Sequence, residues 1–575
     1  MKTIVLKDVF KKSRVDQDKT ATQEETLARF MSRVENLGIS VFDKVVRVDN
    51  GRLGIPVYFS IYGKDARALT GIRKQMGKGG TDLQARASAV MELSERFSFY
   101  AFMNDPDNFR FGTHADFETD ALPLDQVAAS VNDESGDRDA ALEFFRLYPQ
   151  RWAWSTELST GKNVLVPFDW FFAINEFNGT SAGNGTEEAL CQGICEVVER
   201  HTSALASLGR PFPGLTREGI DDPVALDLLS RYDGAGIVIY LSDFTFDMGI
   251  PTVAALGFDP VTLGRTSEIV WTAGTCPHPQ KALNRALTEV AQLAGDFNSG
   301  RVYVASGLPK PKSMAEIGAV INPAELSTVS NLPDLSNDNV KIEVENLLGA
   351  LSSRNFSIYA VETTHKGLQI PSFYTMIPGT RFRERAQQAS VGLFLARMAS
   401  RNAGPFEALG LIGKMEAKFG PTHYLPFYRG TVNLALSDPE SALSAFDEAL
   451  SRNPEGEDLG SILVYKGMAL KEMERFDEAQ KTLEEAASLD PDRTDCLNLL
   501  GFCQFKLKDH EAAAETFTKV LALDPGSAMD HANLGVNLAA LGKNAEAAES
   551  FQRALALDPS IEFARNGLSK LTAKG

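Results

Sequence analysis

At 575 residues the chain is too long for one ordinary domain, and it has ample length for sizeable hydrophobic cores. Its 43% hydrophobic and 23% charged content is typical of a soluble globular protein, and no apolar run approaches the roughly 18 residues of a membrane span. The formal net charge of −18 argues against nucleic acid or an anionic membrane as a partner. The first residues lack the apolar region of a signal peptide, so we expect a cytoplasmic protein.

The N-terminal part of the chain predicts a helix followed by extended segments. Thr22 with Glu25 three residues later is a plausible capping box for a helix within residues 1–40. Residues 41–62 alternate or are apolar, which favours two strands, and Asn50-Gly51 between them is a turn signal. Five cysteines in so long a chain do not form a disulfide framework, and we interpret them as ordinary buried thiols.

A glycine-rich loop over residues 77–80 leads into a second predicted helix, capped by Thr81. This helix carries Glu92, Glu95 and Arg96 on one face, with the apolar residues Val90, Leu93 and Phe97 behind them. The helix therefore presents carboxylates opposite the side that packs on a core.

A similar loop and helix follow at residues 181–200. At about 100° per residue, one third of the helix circumference holds Glu188, Gln192, Glu196, Glu199 and Arg200. The opposite face holds Leu190, Ile194, Val197 and Val198. The pattern E-x-x-E-R occurs in both helices at an offset of 104 residues. Either pattern taken alone fits a solvent-exposed helix face as well as a functional site. The loop-and-helix layout that the two segments share favours two half-sites that face each other.

Residues 271–292 predict a third helix, in which Arg285, Glu289 and Gln292 share a face. Its apolar contacts come from Ala282, Leu283, Ala286, Leu287 and Val290. Residues 236–244 and 250–259 between the helices resemble strands. Long helices with intervening strands, without strict alternation, predict an α+β domain with helices packed on sheet.

If these carboxylates converge, they raise one another's pKa unless a cation neutralises them. An oxygen-only ligand set without Cys or His indicates a hard ion, Mg²⁺ before Zn²⁺, and magnesium usually bridges to phosphates. Glycine-rich loops at helix N-termini offer backbone N–H donors for phosphate, and nearby Lys and Arg side chains offer counter-charge. Nucleotide plus magnesium uses every member of the set, although no Walker A motif is present.

These residues resemble the YcaO family. Its nucleotide-binding motif is matched by Ser181-x-x-Asn184-x3-Glu188-x3-Gln192-x3-Glu196-x-x-Glu199-Arg200, and two further blocks are matched by the loop and helix at 77–96 and by Arg285-x3-Glu289. The resemblance covers roughly residues 40–400. It implies a distinct ATP-binding fold in which glutamates coordinate Mg²⁺ around the triphosphate.

The resemblance also implies roles for the matched positions. Magnesium would be held, directly or through water, by Glu92, Glu95, Glu188, Glu196, Glu199 and Glu289. The nucleotide would be contacted by Lys78, Ser181, Asn184, Gln192, Arg200 and Arg285. Family members with known activity use ATP to phosphorylate a backbone amide oxygen before a nucleophile attacks the activated carbon. Azoline-forming members end in a proline-rich tail, whereas this chain ends S-K-L-T-A-K-G, so we expect a non-azoline activity.

The C-terminal part shows a repeat of glycine, alanine, large apolar and proline positions. Successive repeats begin at Gly430, Gly467, Gly501 and Gly535, in steps of 37, 34 and 34 residues. This pattern resembles tetratricopeptide repeats, in which small residues let paired helices pack closely. We expect an N-terminal leader and helix over 1–40, the ATP- and Mg-binding domain over 41–400, a linker over 401–424, and an all-α array with a capping helix over 425–575.

Two functions are compatible with the sequence. The first is an ATP- and Mg²⁺-dependent enzyme that activates a backbone amide of a protein or peptide recruited by the repeats. The alternative is a nucleotide-binding accessory protein that assists another modifying enzyme. The resemblance supplies an example, because a family member with such repeats is connected with methylthiolation of a ribosomal protein. A homodimer is a further expectation.

Overall fold

The computed structural model describes residues 3–14, 18–298, 307–382 and 389–572. It contains two compact units, which are described separately. Unit 1 comprises the described residues up to Val391 except Asp139–Ala141, and unit 2 comprises Asp139–Ala141 and the described residues from Gly392 onwards.

Unit 1 contains three sheets. The first is antiparallel, with strands β1 (Phe42–Arg47), β2 (Val57–Tyr62) and β3 (Lys74–Lys78). The second has the order β11-β10-β9-β8-β12, formed by β8 (Gly214–Thr216), β9 (Val238–Asp243), β10 (Thr252–Phe258), β11 (Val270–Thr275) and β12 (Leu326–Thr328). Only its β8–β12 pair is parallel.

The third sheet is antiparallel and has the order β4-β5-β13-β14-β7, with β6 also paired to β5. Its strands are β4 (Arg110–Gly112), β5 (Gln150–Glu157), β6 (Asn163–Pro167), β7 (Thr180–Ala182), β13 (Tyr359–Glu362) and β14 (Ser372–Met376).

The helices that begin before residue 391 include three long ones that matter for the site. The full set is α1 (Gln23–Asn36), α2 (Lys64–Thr70), α3 (Asp82–Asn104), α4 (Leu124–Ser130), α5 (Arg138–Leu147), α6 (Phe168–Asn175), α7 (Thr186–Ser207), α8 (Pro223–Gly234), α9 (Pro279–Ala294), α10 (Gly318–Ile321) and α11 (Val340–Ser352).

Each long helix buries its apolar face against a different neighbour. Helix α3 packs on the first sheet and on α1, α7 packs on β7, β14 and α11, and α9 packs on β10 and β11. The apolar residues predicted behind each polar face are fully or almost fully buried in all three helices. This confirms the predicted amphipathic faces and leaves the polar faces of α3, α7 and α9 for the site.

Helix boundaries follow local capping chemistry. Thr22 and Glu25 form the predicted capping box at the start of α1, and the hydroxyl of Thr81 accepts a hydrogen bond from the backbone of Gln84 at the start of α3. The sequence places the start of the third helix at residue 271, which is wrong, because Trp271–Thr275 belongs to strand β11. The helix begins at Pro279, which occupies the first turn after the N-cap His278.

Unit 2 is entirely helical over its described residues beyond Gly392. Its helices are α12 (Val391–Asn402), α13 (Pro405–Glu416), α14 (Tyr424–Ala435), α15 (Pro439–Ser451), α16 (Gly456–Glu472), α17 (Phe476–Leu489), α18 (Thr494–Lys506), α19 (His510–Leu523), α20 (Ala528–Ala540), α21 (Asn544–Leu557) and α22 (Glu562–Thr572). Helices α14–α21 form four pairs and α22 follows the last pair, as predicted for the array. The proposed linker over 401–424 contains α13.

The repeated glycines explain the close packing within each helix pair. A Cβ atom added at Gly467, Gly501 or Gly535 would lie 2.6, 2.9 or 2.7 Å from Leu483, Phe517 or Phe551, respectively. Gly430 meets the ring of Phe446 in the same way. Only a residue without a side chain allows these helices to approach so closely.

Across the described residues, the structure contains no helix that combines the length and the apolar character needed to cross a membrane. All five cysteines are free thiols, as predicted, but only Cys195, Cys496 and Cys503 are buried, whereas Cys191 and Cys276 are partly exposed.

We expect Gly430→Ala to destabilise the first repeat by about 1–3 kcal/mol, because the new methyl group overlaps the Phe446 ring. The midpoint of urea unfolding, followed by circular dichroism, measures the change. Gly413→Ala is the matched control, since its Cβ meets no atom within 4 Å and an alanine there stabilises a helix by about 0.5–1 kcal/mol. Equal midpoints for the two variants would contradict the packing argument.

Candidate functional site

The polar faces of α3, α7 and α9 line one cleft in unit 1, together with strand β3 and the segment before α1. Its volume is about 280 Å³, near the lower end for small-molecule sites. Eleven of the twelve residues predicted from the sequence line it, namely Lys78, Glu92, Glu95, Asn184, Glu188, Gln192, Glu196, Glu199, Arg200, Arg285 and Glu289. Residues up to 211 positions apart in the sequence therefore meet, as the paired half-sites predicted.

Ser181 is the predicted residue that the structure does not bring into the cleft. It is fully buried in β7 opposite Phe373, and its hydroxyl has no hydrogen-bond partner. A Cβ atom at Gly193 of α7 would lie 2.8 Å from this hydroxyl, so Ser181 lies beneath the helix. Side chains alternate along a strand, and the neighbouring Ala182 lines the cleft instead.

The carboxylates of α3 and α7 perturb one another. Burial raises the pKa of Glu95 to about 8; the charges of Glu196 and Glu92 add to this effect, and Arg96 opposes it. Burial also raises the pKa of Glu92 and of Glu196; the charge of Glu196 adds to the effect on Glu92, and the charge of Glu199 adds to the effect on Glu196. The predicted mutual repulsion of the glutamates is therefore a property of the cleft.

Glu95 and Glu199 are held by hydrogen bonds as well as by charges. The hydroxyl of Thr180 donates to Glu95 over 2.7 Å, and the guanidinium of Arg96 lies 2.9 Å from the same carboxylate. The backbone N–H of Thr275 at the end of β11 donates to Glu199 over 3.0 Å. The second and third sheets thus each fix one carboxylate of the cleft.

Four cations from the predicted helices and from β3 face the carboxylates. Arg285 donates to the side-chain oxygen of Gln192 over 2.8 Å and lies 3.8 Å from Glu199. Arg200 lies 3.8 Å from both Glu196 and Glu199. The third cation, Arg96, pairs with Glu95 as described above.

The fourth cation is the ammonium of Lys78, which contacts the carboxylate of Glu289 across the cleft. Burial, reinforced by the positive charge of Arg285, lowers the pKa of Lys78 to about 7. Lys78 and Arg285 therefore repel each other, which an anion placed between them would relieve.

The segment before α1 and the first turn of α1 form a wall that the sequence did not predict. Lys19, Ala21, Gln23 and Thr26 line the cleft, and the hydroxyl of Thr26 donates to the side-chain oxygen of Asn184 over 3.0 Å. The capping box at Thr22 predicted where α1 begins. No pattern in the sequence indicated that this segment meets a helix more than 150 residues later.

The glycines of the first loop have a packing role that the sequence did not reveal. Gly77 belongs to strand β3, and a Cβ there would overlap the backbone nitrogen of Ala89 in α3. Gly183 packs in the same way on α7, because a Cβ added there would lie 2.5 Å from the backbone nitrogen of Ala189. These glycines bring backbone against helix, and of residues 77–80 only Lys78 and Gly79 line the cleft.

The residues present fit magnesium bound together with a nucleotide better than a bare metal ion. Over the part of the chain that the structure describes, no group of three or more His, Cys, Asp or Glu side chains could hold a metal by itself. Magnesium keeps water and phosphate ligands and needs only one or two carboxylates. The cleft's donors are carboxylate and amide oxygens facing cations, which suits a metal–phosphate pair.

Comparison with known families identifies both parts of the chain. The family described as YcaO cyclodehydratase, ATP- and Mg²⁺-binding, matches residues 76–381, which is more than half of the chain. Two tetratricopeptide-repeat families match residues 466–528 and 528–561.

Two curated relatives resemble the first part. An uncharacterized protein of Methanothermobacter thermautotrophicus is 32% identical over 281 residues, which are 47% of this chain and 68% of that protein. The ribosomal protein S12 methylthiotransferase accessory factor YcaO of Escherichia coli is 24% identical over 314 residues, 48% of this chain and 49% of that protein.

Two solved structures share the fold. YcaO from Methanopyrus kandleri bound with AMPPCP and Mg²⁺ has a TM-score of 0.50 and 22% identity, over 65% of this chain and 95% of that one. A heterocyclase in complex with substrate and cofactor has a TM-score of 0.56 and 20% identity, over 66% of this chain and 55% of that one. At these identities the likeness concerns the fold.

We expect Glu95→Gln to flatten the pH dependence of stability measured without magnesium and nucleotide. Folding raises the pKa of Glu95 from its usual 4.5 to about 8, so between these values the folded protein holds a proton that the unfolded chain has lost. Wild-type stability therefore falls as pH rises through this window, by up to about 1.4 kcal/mol per pH unit from this group. Urea unfolding between pH 5 and 8.5 measures the slope, and identical slopes in wild type and variant would contradict the prediction.

Proposed function

This chain belongs to the YcaO family, and from that premise we propose that it is an ATP- and Mg²⁺-dependent enzyme that activates a backbone amide of a protein or peptide by O-phosphorylation. ATP and Mg²⁺ are the ligands of the family. The amide substrate and the non-azoline outcome are our proposal.

One observation carries the proposal. Three helices from separate parts of the sequence bring six carboxylates and three cations into one cleft, strand β3 adds Lys78, and the segment before α1 adds Lys19 as a fifth cation. Such a cleft is matched to a ligand that carries both a divalent cation and several phosphate oxygens. Burial raises the pKa values of Glu92, Glu95 and Glu196 even though Arg96 and Arg200 lie nearby, so the cleft holds more buried carboxylate than its own cations stabilise in the ionised form.

We assign roles by position in the cleft. Glu92, Glu95, Glu188, Glu196, Glu199 and Glu289 would hold magnesium, directly or through water. Lys78, Asn184, Gln192, Arg200 and Arg285 would contact the nucleotide. Ser181, which lies beneath α7, would act through the position of that helix and not by contact.

The proposed chemistry needs orientation and charge neutralisation more than covalent catalysis. The amide oxygen attacks the γ-phosphorus, and ADP leaves. A nucleophile then adds to the activated carbon, and the amide oxygen departs with the phosphate. Arg200, Arg285 and Lys78 would balance the charge that shifts to the leaving oxygen, because guanidinium and ammonium groups stabilise phosphate oxygens in a partly dehydrated site.

Unit 2 carries tetratricopeptide repeats, which are protein–protein interaction modules. We propose that these repeats recruit the protein whose amide is modified. The second candidate function is an accessory protein in which ATP controls partner docking and another enzyme carries out the modification. The description of the Escherichia coli relative as an accessory factor supports this alternative.

We expect Glu196→Gln to lower Mg²⁺-dependent ATP hydrolysis at least about 100-fold, because it removes a charge from the cleft's carboxylate set. Full-length protein is incubated with ATP, Mg²⁺ and cell extract, and phosphate release and the masses of extract proteins are followed together. A mass change on one protein that requires both ATP and Glu196 supports the enzyme.

Glu345→Gln serves as the control, since it removes an exposed carboxylate of α11 outside the cleft and should leave hydrolysis unchanged. ATP binding without phosphate release or mass change would reject the enzyme and support the accessory function. Absence of any Mg²⁺-dependent ATP binding would reject both.

A further inference from the structure

The segment before α1 is fastened to unit 1 along its length. We call its described residues, 3–14 and 18–22, the N-terminal strap. The backbone N–H of Ile4 donates to Thr156 over 3.2 Å, and that of Val9 donates to the side chain of Asn339 over 3.1 Å. The strap precedes the region matched by the family, which begins at residue 76.

The strap folds back on itself just before it reaches the cleft. The backbones of Ser13 and Lys19 exchange hydrogen bonds of 3.0 and 2.9 Å. This pairing places Thr20 against α7, where its backbone N–H and its hydroxyl donate to one oxygen of Glu188 over 2.9 and 2.7 Å. The strap therefore touches a carboxylate that we assign to magnesium.

A buried ion triad holds this fold-back in place. The ammonium of Lys11 lies 2.7 Å from Asp18 and 2.6 Å from Glu343 of α11, with side-chain exposures of 4%, 13% and 5%, respectively. The backbone N–H of Asn337 also donates to Glu343 over 3.2 Å. Charges buried this deeply persist only when their partners stay in position, so the triad fixes Asp18 relative to α11.

The ion triad and the contact with Glu188 are close together in the chain, since Asp18 lies two residues before Thr20. Glu188 is held on its other side by the side-chain amide of Asn184, which donates to its second oxygen over 3.1 Å. Both oxygens of Glu188 thus accept hydrogen bonds from fixed donors, and a carboxylate so held presents its remaining lone pairs in one direction.

We propose that Lys11, Asp18 and Glu343 are positioning residues that orient Glu188 toward the metal–nucleotide complex through Thr20. The proposal rests on the proposed function of the cleft and adds to it a control by residues outside the cleft. Hydrogen-bonded partners behind a metal ligand typically change affinity by about 10–100-fold when removed. Without the triad, Thr20 would lose its fixed position, and Glu188 would have to be ordered when the ligand binds.

The experiment measures binding of AMPPCP with Mg²⁺ to the full chain by titration calorimetry. We expect Lys11→Met to weaken binding about tenfold, and Lys11→Arg, which retains the charge, to recover most of the loss. Thr20→Ala should also weaken binding. Because Lys11 acts through Thr20, the double variant Lys11→Met/Thr20→Ala should bind no more than about twofold more weakly than Lys11→Met alone.

Lys12→Met is the matched control in the same segment. Its ammonium forms an exposed pair with Glu25, at side-chain exposures of 59% and 47%, so binding should be unchanged. Glu343→Gln is measured alongside, because it replaces a carboxylate by an amide of nearly the same size. It keeps the test valid if the thermal transition of Lys11→Met shows that this variant folds poorly. Its expected effect is a loss of affinity in the same direction.

Unchanged affinity in Glu343→Gln and in folded Lys11→Met would overturn the proposal. Affinity losses that multiply in the double variant would also overturn it, since Lys11 and Thr20 would then affect binding independently. A gain in affinity would overturn it by showing that the strap obstructs Glu188. Failure of the wild-type protein to bind AMPPCP with Mg²⁺ would instead reject the proposed function of the cleft.

Discussion

Carboxylates buried beside one another resist ionisation unless cations balance them, and this constraint governs the cleft of unit 1. Six glutamates from α3, α7 and α9 meet there, and burial together with their mutual repulsion raises the pKa of Glu92, Glu95 and Glu196. The cations of the cleft are themselves crowded, since Arg285 contributes to lowering the pKa of Lys78. A divalent cation bound with phosphates relieves both kinds of repulsion at once. The repulsion that makes the cleft unfavourable without a ligand thus makes it selective for a ligand that carries both a metal ion and phosphates.

The rest of unit 1 holds these opposing charges at fixed positions. Each of the three long helices is anchored by an apolar face against its own sheet or neighbouring helices, so none of them can turn to relieve the repulsion. The sheets add individual hydrogen bonds, from Thr180 to Glu95 and from the Thr275 backbone to Glu199. Close backbone packing at Gly77 and Gly183 brings strand and loop against the helices. Rigid anchoring of this kind is what an electrostatic site requires, because binding energy is then not spent on ordering the ligands.

The helix faces were predictable because their periodicity is local. An apolar stripe opposite a charged stripe predicts which side packs, and the structure confirms this for all three helices. The repeat array was predictable for the same reason, since each glycine recurs at the position where it meets Leu483 or a phenylalanine of the paired helix. The predicted start of the third helix was wrong because an apolar run before a proline fits a buried strand as well as a helix. Ser181 belonged to a motif shared with the family, but the alternation of strand β7 turns its side chain beneath α7.

The sequence by itself determined the long helices, the repeat array, the charged face of each helix and the chemical class of the ligand, because residue type and spacing carry that information within one or two helical turns. Only the tertiary structure decided which charges meet, which of them are buried, and which segments complete the cleft. The contact between Thr20 and Glu188 joins residues 168 positions apart, and that between Lys11 and Glu343 joins residues 332 apart. No local pattern encodes such pairs, because they depend on how the second and third sheets, α11 and the strap pack around α7.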